Sequence, residues 1–227
     1  MTLSNSPIHP YFPLDLHLPD YVPLQAHFSY ILGVFTAAVL TVFAITWKLS
    51  ARHKHLTTAE RVIACWFMVT GLIHFVIEGW VVAKADFYKD ASGNYLSDTW
   101  KEYSKADSRY ASRDSFIISM EAITAFLWGP LCPLLVYGIF NAKPWRYTLM
   151  VIVSVGQIYG DVLYYGTCYL EGFVHSRPEL LYFWIYFVIV NAIWIVVPGL
   201  CILHAWRQVS RAVAASSGGR GGKAKRG

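Results

Sequence analysis

Five long apolar stretches limit what this chain can fold into more than any other feature. A helix needs about 20 consecutive, mostly apolar residues to cross a bilayer, and each stretch has roughly that length. Only 15% of the 227 residues are charged, against roughly a quarter in an ordinary soluble domain. We therefore predict an all-α integral membrane protein, a bundle of five transmembrane helices. The predicted helices cover residues 28–47, 62–82, 116–140, 147–169 and 181–206.

The other parts of the chain differ in composition from this core. Residues 1–27 contain four prolines before Val22, and we expect an irregular segment at the lumenal interface. Residues 28–206 form the transmembrane domain, which includes a lumenal loop at 85–114. Residues 207–227 are basic and rich in glycine, a composition typical of disorder. Lys223 and Lys225 resemble a dilysine retrieval signal of the endoplasmic reticulum, but a solvated basic tail near anionic lipid explains them equally well.

Lys and Arg are distributed unequally between the two ends of the predicted helices. Twelve lie on the side that carries the tail and seven on the other side, and six of those seven belong to a loop with about as many acids. Because cytosolic loops are enriched in Lys and Arg, we expect a lumenal N-terminus and a cytosolic C-terminus. We therefore interpret the net charge of +5 as a signal for orientation in the membrane and for contact with membrane lipid. Nucleic acid is not an expected partner.

Four of the apolar stretches carry polar or aromatic pairs at helical spacing. A charge at mid-bilayer costs roughly 2.5–3.5 kcal/mol on insertion scales, so such groups face the bundle interior and usually mark a functional site. Spacings of three or four residues place each pair on one helix face. By position along the stretches, the pairs lie at similar depth. They are His74 and Glu78, Glu121 and Thr124, Gln157 and Asp161, and Asn191 and Trp194.

Not every one of these groups requires a chemical role. Gln157 and Asp161 are explained equally well by hydrogen bonds between helices. Gly156 and Gly160 form a GxxxG motif, which is typical of close packing. His74, Glu78 and Glu121 are different, because three ionisable groups at one depth exceed what packing needs. The four cysteines lie in apolar stretches without metal-ligand spacing and are expected to be buried. They are Cys65, Cys132, Cys168 and Cys201.

An acid, a base and an aromatic face in an apolar cavity suit one kind of chemistry. A buried carboxyl tends to keep its proton, so one of two carboxyls can act as a donor and the other group as an acceptor. The indole of Trp194 would stabilise a nearby cation. Such a site could protonate an alkene, hold the carbocation and remove a different proton, and it would also bind an amphiphilic ammonium. We find no motif for a cofactor or a metal.

The loop before the third stretch has its own pattern. In "YLSDTWKEYSKADSRY" (95–110), Leu96, Trp100 and Tyr103 follow the i, i+4, i+7 spacing of an interfacial helix. We expect this helix to roof the cavity, with a mobile polar loop as the alternative.

Five motifs closely resemble the emopamil-binding protein family of sterol isomerases. They are "HFVIEGW" (74–80), "WKEYSKADSRY" (100–110), "MEAITAFLWGP" (120–130), "VSVGQIYGDVLYY" (153–165) and "YFWIYFVIVNAIW" (182–194). The resemblance extends from residue 9 to residue 200. It implies a five-helix protein of the endoplasmic reticulum that moves a sterol double bond from position 8(9) to 7(8) without a cofactor. It implies a Δ8-sterol substrate and cationic amphiphilic amines as inhibitors, and a homodimer is a candidate assembly.

The resemblance also assigns residues. The implied catalytic set is His74, Glu78, Glu121, Thr124, Asn191 and Trp194. The candidate substrate-binding residues are Trp100, Tyr103, Asp107, Arg109, Tyr110, Met120, Gln157, Asp161 and Trp184. Non-catalytic relatives keep the fold, so a membrane receptor for sterols and amines is the alternative function. A proton-coupled transporter is less well supported, because the cytosolic halves of the helices have few polar residues.

Overall fold

The computed structural model describes residues 9–223, with side chains as far as Ser217. Five helices are long and apolar enough to cross a membrane, and we call them the first to fifth spans. They are Phe28–Ser50, Thr58–Ala83, Ser115–Phe140, Arg146–Leu170 and Leu180–Ser217. No strand occurs in the described part of the chain. The prediction of an all-helical protein with five helices able to span a membrane is confirmed, with most span ends within four residues of those expected.

The outer surface of the bundle is apolar. Leu40 is 62% exposed, Ile152 50% and Leu200 61%. A soluble monomer rarely exposes continuous apolar surface of this kind. The outward faces of the spans are therefore suited to contact with lipid acyl chains.

Local sequence signals determine where two of the spans begin. The second span starts with a capping box, in which the Thr57 hydroxyl accepts from the Glu60 amide and the Glu60 carboxylate accepts from the Thr57 amide. At the start of the third span, one carboxylate oxygen of Asp114 accepts from the amides of Phe116 and Ile117. These side chains satisfy amides that have no partner within the helix.

Consecutive spans pack side by side, and one side of the bundle is open. The first span packs on the second, the second on the third, the third on the fourth and the fourth on the fifth. Contact between the first and fifth spans is slight, and their nearest aromatic pair, Phe28 and Tyr186, has ring centroids 6.3 Å apart. The cavity described below therefore opens toward the lipid between these two spans.

A small residue allows the second and third spans to cross closely. A methyl group on Gly71 would lie 2.6 Å from the Cys132 Cβ and 3.2 Å from the Gly129 carbonyl oxygen. Small residues are common where membrane helices approach each other in this way.

We expect Gly71→Ala to lower the melting temperature, because overpacking of a close-packed site costs about 1–3 kcal/mol. Adding Cys132→Gly removes the atom that would clash and should restore part of the loss. Melting curves of the two single variants and the double variant in detergent measure the coupling. If the changes in melting temperature of the two single variants simply add in the double variant, the two positions are not in contact.

The GxxxG motif of the fourth span is only half used for packing. A methyl group on Gly156 would clash with the Trp128 ring, so this glycine is required for the indole to fit. At Gly160 the nearest atoms, from Met120, would be 3.8 Å away, which is ordinary contact. Both glycines also line the cavity.

Residues 84–114, here called the roof segment, fold over one end of the bundle. The segment contains a short 3₁₀ turn, Phe87–Lys89, the roof helix, Tyr95–Tyr103, and a further helical turn, Arg109–Ser112. The roof helix begins at Asn94, whose side chain accepts from the amides of Leu96 and Ser97. The segment is therefore an ordered layer rather than an open loop.

The N-terminal segment, described from residue 9, packs on the roof. Tyr11 is fully buried, and its hydroxyl donates to the Lys101 carbonyl at 3.1 Å. The Ala26 amide donates to Asp98 at 2.8 Å. These bonds connect the roof to the residues that lead into the first span.

The first part of the segment for which we predict disorder forms a continuation of the fifth span. The fifth span continues as a regular helix from Asn191 to Lys223. Residues 207–217, "RQVSRAVAASS", are mainly good helix formers, so the helix extends past the apolar stretch. Lys225, the second lysine of the candidate retrieval signal, lies outside the described residues.

Candidate active site

The polar pairs of four spans converge on one cavity under the roof. The second, third, fourth and fifth spans supply its polar walls, the roof segment closes one end, and the first span adds an apolar side. His74 is fully buried, and Glu78 and Glu121 are only 8% and 5% exposed. The cavity therefore combines acidic, basic and apolar surface inside the membrane-spanning region.

Three residues of the second span form a chain along one helix face. The Nδ1 atom of His74 lies 2.9 and 2.8 Å from the two carboxylate oxygens of Glu78. Its Nε2 atom lies 3.2 Å from the hydroxyl of Thr70. The spacing of four residues brings each of these side chains onto its neighbour.

Gln157 joins the fourth span to this chain. Its amide nitrogen donates to His74 Nε2 at 2.9 Å and to the Thr70 hydroxyl at 3.4 Å. Because Nε2 accepts, the proton of the neutral imidazole is on Nδ1 and is donated to Glu78. Gln157 therefore determines the tautomer of His74, with the proton on the nitrogen that faces the Glu78 carboxyl group.

Glu121 is held by a different partner. The Tyr110 hydroxyl, from the roof segment, donates to Glu121 at 2.7 Å. Burial raises the pKa of Tyr110 well above its ordinary value, so the phenol remains a donor. The carboxyl groups of Glu78 and Glu121 line the same cavity. Two neighbouring carboxyls do not readily ionise together, so one of them keeps a proton.

The fifth span contributes an amide and an indole. Asn191 donates to the Phe187 carbonyl at 2.7 Å and accepts from the Tyr103 hydroxyl at 3.0 Å. The Trp194 ring meets His74 edge to face at 5.9 Å. On its other side it meets Trp66 in the same manner, at 5.1 Å. Trp194 is thus held in place by two perpendicular rings.

π-helical turns interrupt three spans where they border the cavity. They are Ile73–Glu78, Thr124–Trp128 and Leu180–Val190. Such turns are rare and frequently occur at functional sites. In the third span, Pro130 and Pro133 follow the turn, and each lacks the amide that a regular helix would use.

The roof helix reaches into the cavity. The Trp100 indole donates to the Ile77 carbonyl at 2.7 Å, which fastens the roof to the second span. The Trp100 and Tyr110 rings lie at a tilt with their centroids 4.6 Å apart, and Tyr103 packs edge to face on both. The segment that we expected to cover the cavity therefore contributes three aromatic side chains to its wall.

Most of the residues predicted from the sequence meet in this one place. The six residues of the implied catalytic set all line the cavity. So do six of the nine candidate substrate-binding residues, namely Trp100, Tyr103, Tyr110, Met120, Gln157 and Asp161.

Trp184 lies elsewhere. It does not line the cavity, and its side chain is 53% exposed on the outer surface of the fifth span. Residues two apart do not share a helix face, and Tyr186 is the one that points into the cavity. The structure therefore does not bring Trp184 together with the other candidate substrate-binding residues.

Asp107 and Arg109 are also absent from the cavity wall. They form a buried ion pair at 2.8 Å, and Arg109 donates to the Thr167 hydroxyl at 2.8 Å. The guanidinium lies over the Tyr164 ring, 5.2 Å from its centroid. These contacts join the roof segment to the fourth span behind the cavity wall.

Sequence reasoning missed several residues of the cavity. The apolar side is formed by Phe28, Ile31, Leu32 and Phe35 of the first span, which carry no polar signal. Thr70, which contacts His74 without lining the cavity, could have been found because it precedes His74 by one helical turn. Among the described residues, no group of three His, Cys, Asp or Glu side chains could hold a metal ion.

Comparison with known proteins places this architecture in a family. The family described as "EBP: EXPERA (EXPanded EBP superfamily)" matches residues 95–205. The 3-beta-hydroxysteroid-Delta(8),Delta(7)-isomerase of Rattus norvegicus is 46% identical over 220 residues, covering 93% of each chain, and that of Mus musculus is 43% identical with the same coverage. The "Probable 3-beta-hydroxysteroid-Delta(8),Delta(7)-isomerase" of Arabidopsis thaliana is 38% identical over 91% of both chains. With the five spans and the shared cavity, these matches show that the chain belongs to the EBP family of the EXPERA superfamily.

Proposed function

We propose that this protein is a sterol isomerase that moves a double bond from position 8(9) to position 7(8). The observation that carries the proposal is the meeting of Glu78, Glu121 and His74 in an apolar cavity that opens toward lipid. A sterol is itself a lipid and reaches such a cavity without leaving the membrane. The names of the mammalian relatives support the same reaction.

The proton donor in this proposal is Glu78. The electron pair of the 8(9) double bond takes the proton of the Glu78 carboxyl at carbon 9, on the α face, and leaves a cation at carbon 8. The Nδ1–H of His74, 2.8 Å away, then stabilises the carboxylate that remains. A donor that is already in place where negative charge develops lowers the barrier.

The proton acceptor in this proposal is Glu121. It takes the proton from carbon 7, and the electrons of that C–H bond form the new 7(8) double bond. Tyr110 stabilises the Glu121 carboxylate before this step. His74 is the alternative acceptor, but both of its nitrogens are occupied by Glu78, Gln157 and Thr70. Return of the proton from Glu121 to Glu78 restores the starting state.

The remaining residues of the implied catalytic set hold or stabilise these groups. Trp194 presents an aromatic ring in a dry cavity, where a cation–π contact is worth about 2 kcal/mol or more. Asn191 is held by its hydrogen bond with Tyr103, and in this proposal it helps to position the neighbouring cavity residues. The Thr124 hydroxyl donates to the Met120 carbonyl within its own helix at 2.9 Å. In this proposal it helps to position Glu121 by stabilising the local conformation of the third span.

The same cavity would bind cationic amphiphilic amines. An ammonium imitates the carbocation and would be attracted by the carboxylates and by Trp194. A non-catalytic receptor for sterols and amines would show the same binding, so binding alone does not distinguish the two functions. Turnover does.

The deciding experiment is incubation of the purified protein with a Δ8-sterol in deuterated water. We expect the Δ7-sterol with one deuterium at carbon 9, because the Glu78 proton exchanges with solvent between turnovers. The double variant Glu78→Gln/Glu121→Gln is the control and should give no product. Amine binding without any Δ7 product would identify a receptor instead of an isomerase.

We further propose that the protein resides in the endoplasmic reticulum membrane with the roof on the lumenal side. Twelve basic residues lie on the side of the tail, against seven on the roof side. Several roof-side cations are paired locally, as in Lys89 with Asp20 and Lys105 with Glu102. The positive-inside rule then puts the C-terminus in the cytosol.

This orientation predicts that protease digests a C-terminal tag in intact microsomes, because the tag faces the cytosol. A tag within the roof loop at Ser92–Gly93 should be digested only after detergent is added. Protection of the C-terminal tag would reverse the proposed topology.

A further inference from the structure

Asp161 is a buried acid that the proposed reaction does not use. It lines the cavity from the fourth span and is only 6% exposed. No donor from the described residues reaches its carboxyl group, and its Oδ2 atom is both buried and without a partner. Buried polar groups are nearly always hydrogen-bonded, so an unpartnered carboxyl in a cavity wall needs an explanation.

Packing does not supply that explanation. Gln157, one turn earlier on the same face, bonds to His74 and Thr70 of the second span and so joins two helices. Asp161 makes no such bond within the described chain. A polar residue whose purpose is to hold helices together would have a partner on a neighbouring helix. The partner of Asp161 is therefore expected to be a ligand.

The chemistry of the proposed substrate identifies the partner. A Δ8-sterol has a single polar group, the 3β-hydroxyl on ring A, and it reacts one ring away, at carbons 7, 8 and 9 of ring B. One helical turn, about 5.4 Å, separates Asp161 from Gln157, which contacts His74. Asp161 and Gln157 therefore lie on one face of the fourth span, with Gln157 on the acid–base groups and Asp161 one turn away in the same cavity.

We propose that Asp161 binds the 3β-hydroxyl of the sterol, an inference that rests on the proposed isomerase function. When the Asp161 carboxyl is ionised, it accepts a hydrogen bond from the sterol hydroxyl. When it is neutral, it can donate a hydrogen bond to the hydroxyl or accept one from it. Ring A then lies against the fourth span. The alkyl side chain points to the apolar opening formed by Phe28 and Leu32 of the first span and Val190 of the fifth.

Binding of two sterols that do not react tests this assignment separately from catalysis. Displacement of a labelled ammonium amphiphile by 5α-cholestan-3β-ol and by 5α-cholestane gives the preference for the hydroxyl. We expect the unchanged protein to prefer the 3β-ol by about tenfold or more, because a lost hydrogen bond leaves a buried group unpaired. Asp161→Leu should abolish the preference, and Asp161→Asn should keep most of it. Ser154→Ala, which removes a buried hydroxyl of the same span outside the cavity, should leave the preference unchanged.

Turnover provides the second measurement. For Asp161→Leu, kcat/KM should fall by about tenfold or more with the 3β-hydroxy Δ8-sterol and change little with its 3-deoxy analogue. Equal losses with both substrates would show that Asp161 serves the proton transfers and would overturn the assignment. If no Δ8-sterol is converted by the unchanged protein, the isomerase proposal fails, and the binding preference still tests the hydroxyl site.

The stability of the ligand-free protein tests a structural role for Asp161. An unpartnered buried carboxyl destabilises the empty protein, so Asp161→Leu should melt at a higher temperature than the unchanged protein. Adding 5α-cholestan-3β-ol should raise the melting temperature of the unchanged protein more than that of the variant. A lower melting temperature for Asp161→Leu without sterol, together with an unaltered preference for the hydroxyl, would contradict the proposal.

Discussion

Glu78→Gln is expected to lower the rate of Δ8-to-Δ7 conversion by at least about a hundredfold, the usual contribution of general acid–base catalysis. The amide has the shape of the carboxyl group and still accepts from His74 Nδ1–H, but it has no proton to transfer to carbon. Glu121→Gln should cause a loss of similar size, because the amide cannot take the proton from carbon 7. Product formation from a Δ8-sterol by the purified variants gives both rates.

A matched control separates these losses from unfolding. Glu60 lies in the second span at the end far from the roof, where it is bonded to Thr57 and Tyr147 and does not line the cavity. Glu60→Gln should keep the rate within a few-fold of the unchanged protein. Near-full activity of Glu78→Gln or of Glu121→Gln would remove that residue from the mechanism.

Substitution of Trp194 should separate stabilisation of the cation from transfer of the proton. The indole gives no proton to carbon, so it acts through its shape or its π-electrons. Trp194→Phe keeps an aromatic face with a weaker quadrupole, and Trp194→Leu keeps bulk without one. A contact of about 2 kcal/mol corresponds to roughly thirtyfold in rate. The rate should fall in the order Trp, Phe, Leu, with the leucine variant slower by at least about thirtyfold.

Ligand affinity provides the independent test of this role. Binding of an ammonium amphiphile should weaken in the same order, because the ammonium takes the place of the cation. A neutral isostere of that ligand should be affected much less, whereas a cavity left by the smaller side chain would weaken both ligands equally. Equal losses for the two ligands would make Trp194 a packing residue. Trp184→Leu, on the exposed outer surface, is the matched control and should change neither rate nor affinity.

Several features of this protein follow from local sequence. Hydropathy and length are sufficient to locate the five spans, because a helix surrounded by lipid must satisfy its own backbone and be apolar over the whole bilayer. Spacings of three and four residues place His74 with Glu78 and Asn191 with Trp194 on shared faces, since helical periodicity is a property of neighbouring residues. The cost of burying charge in hydrocarbon directs these faces to the bundle interior. The amino-acid sequence by itself is therefore sufficient to select the candidate acid–base groups.

Contacts between distant segments decided the rest. Tyr110 reaches Glu121, and Gln157 determines the tautomer of His74, and neither partnership can be found from spacing because the residues come from different elements. Asp107 and Arg109 share a motif with Trp100 and Tyr103, yet they bond behind the wall, since the turn after the roof helix rotates them away. The apolar side of the cavity and its opening toward lipid depend on how the first and fifth spans are placed. That placement is set by packing across the whole bundle. The hydrophobic pattern is similar on every helix that faces lipid, so it does not show which helices are neighbours.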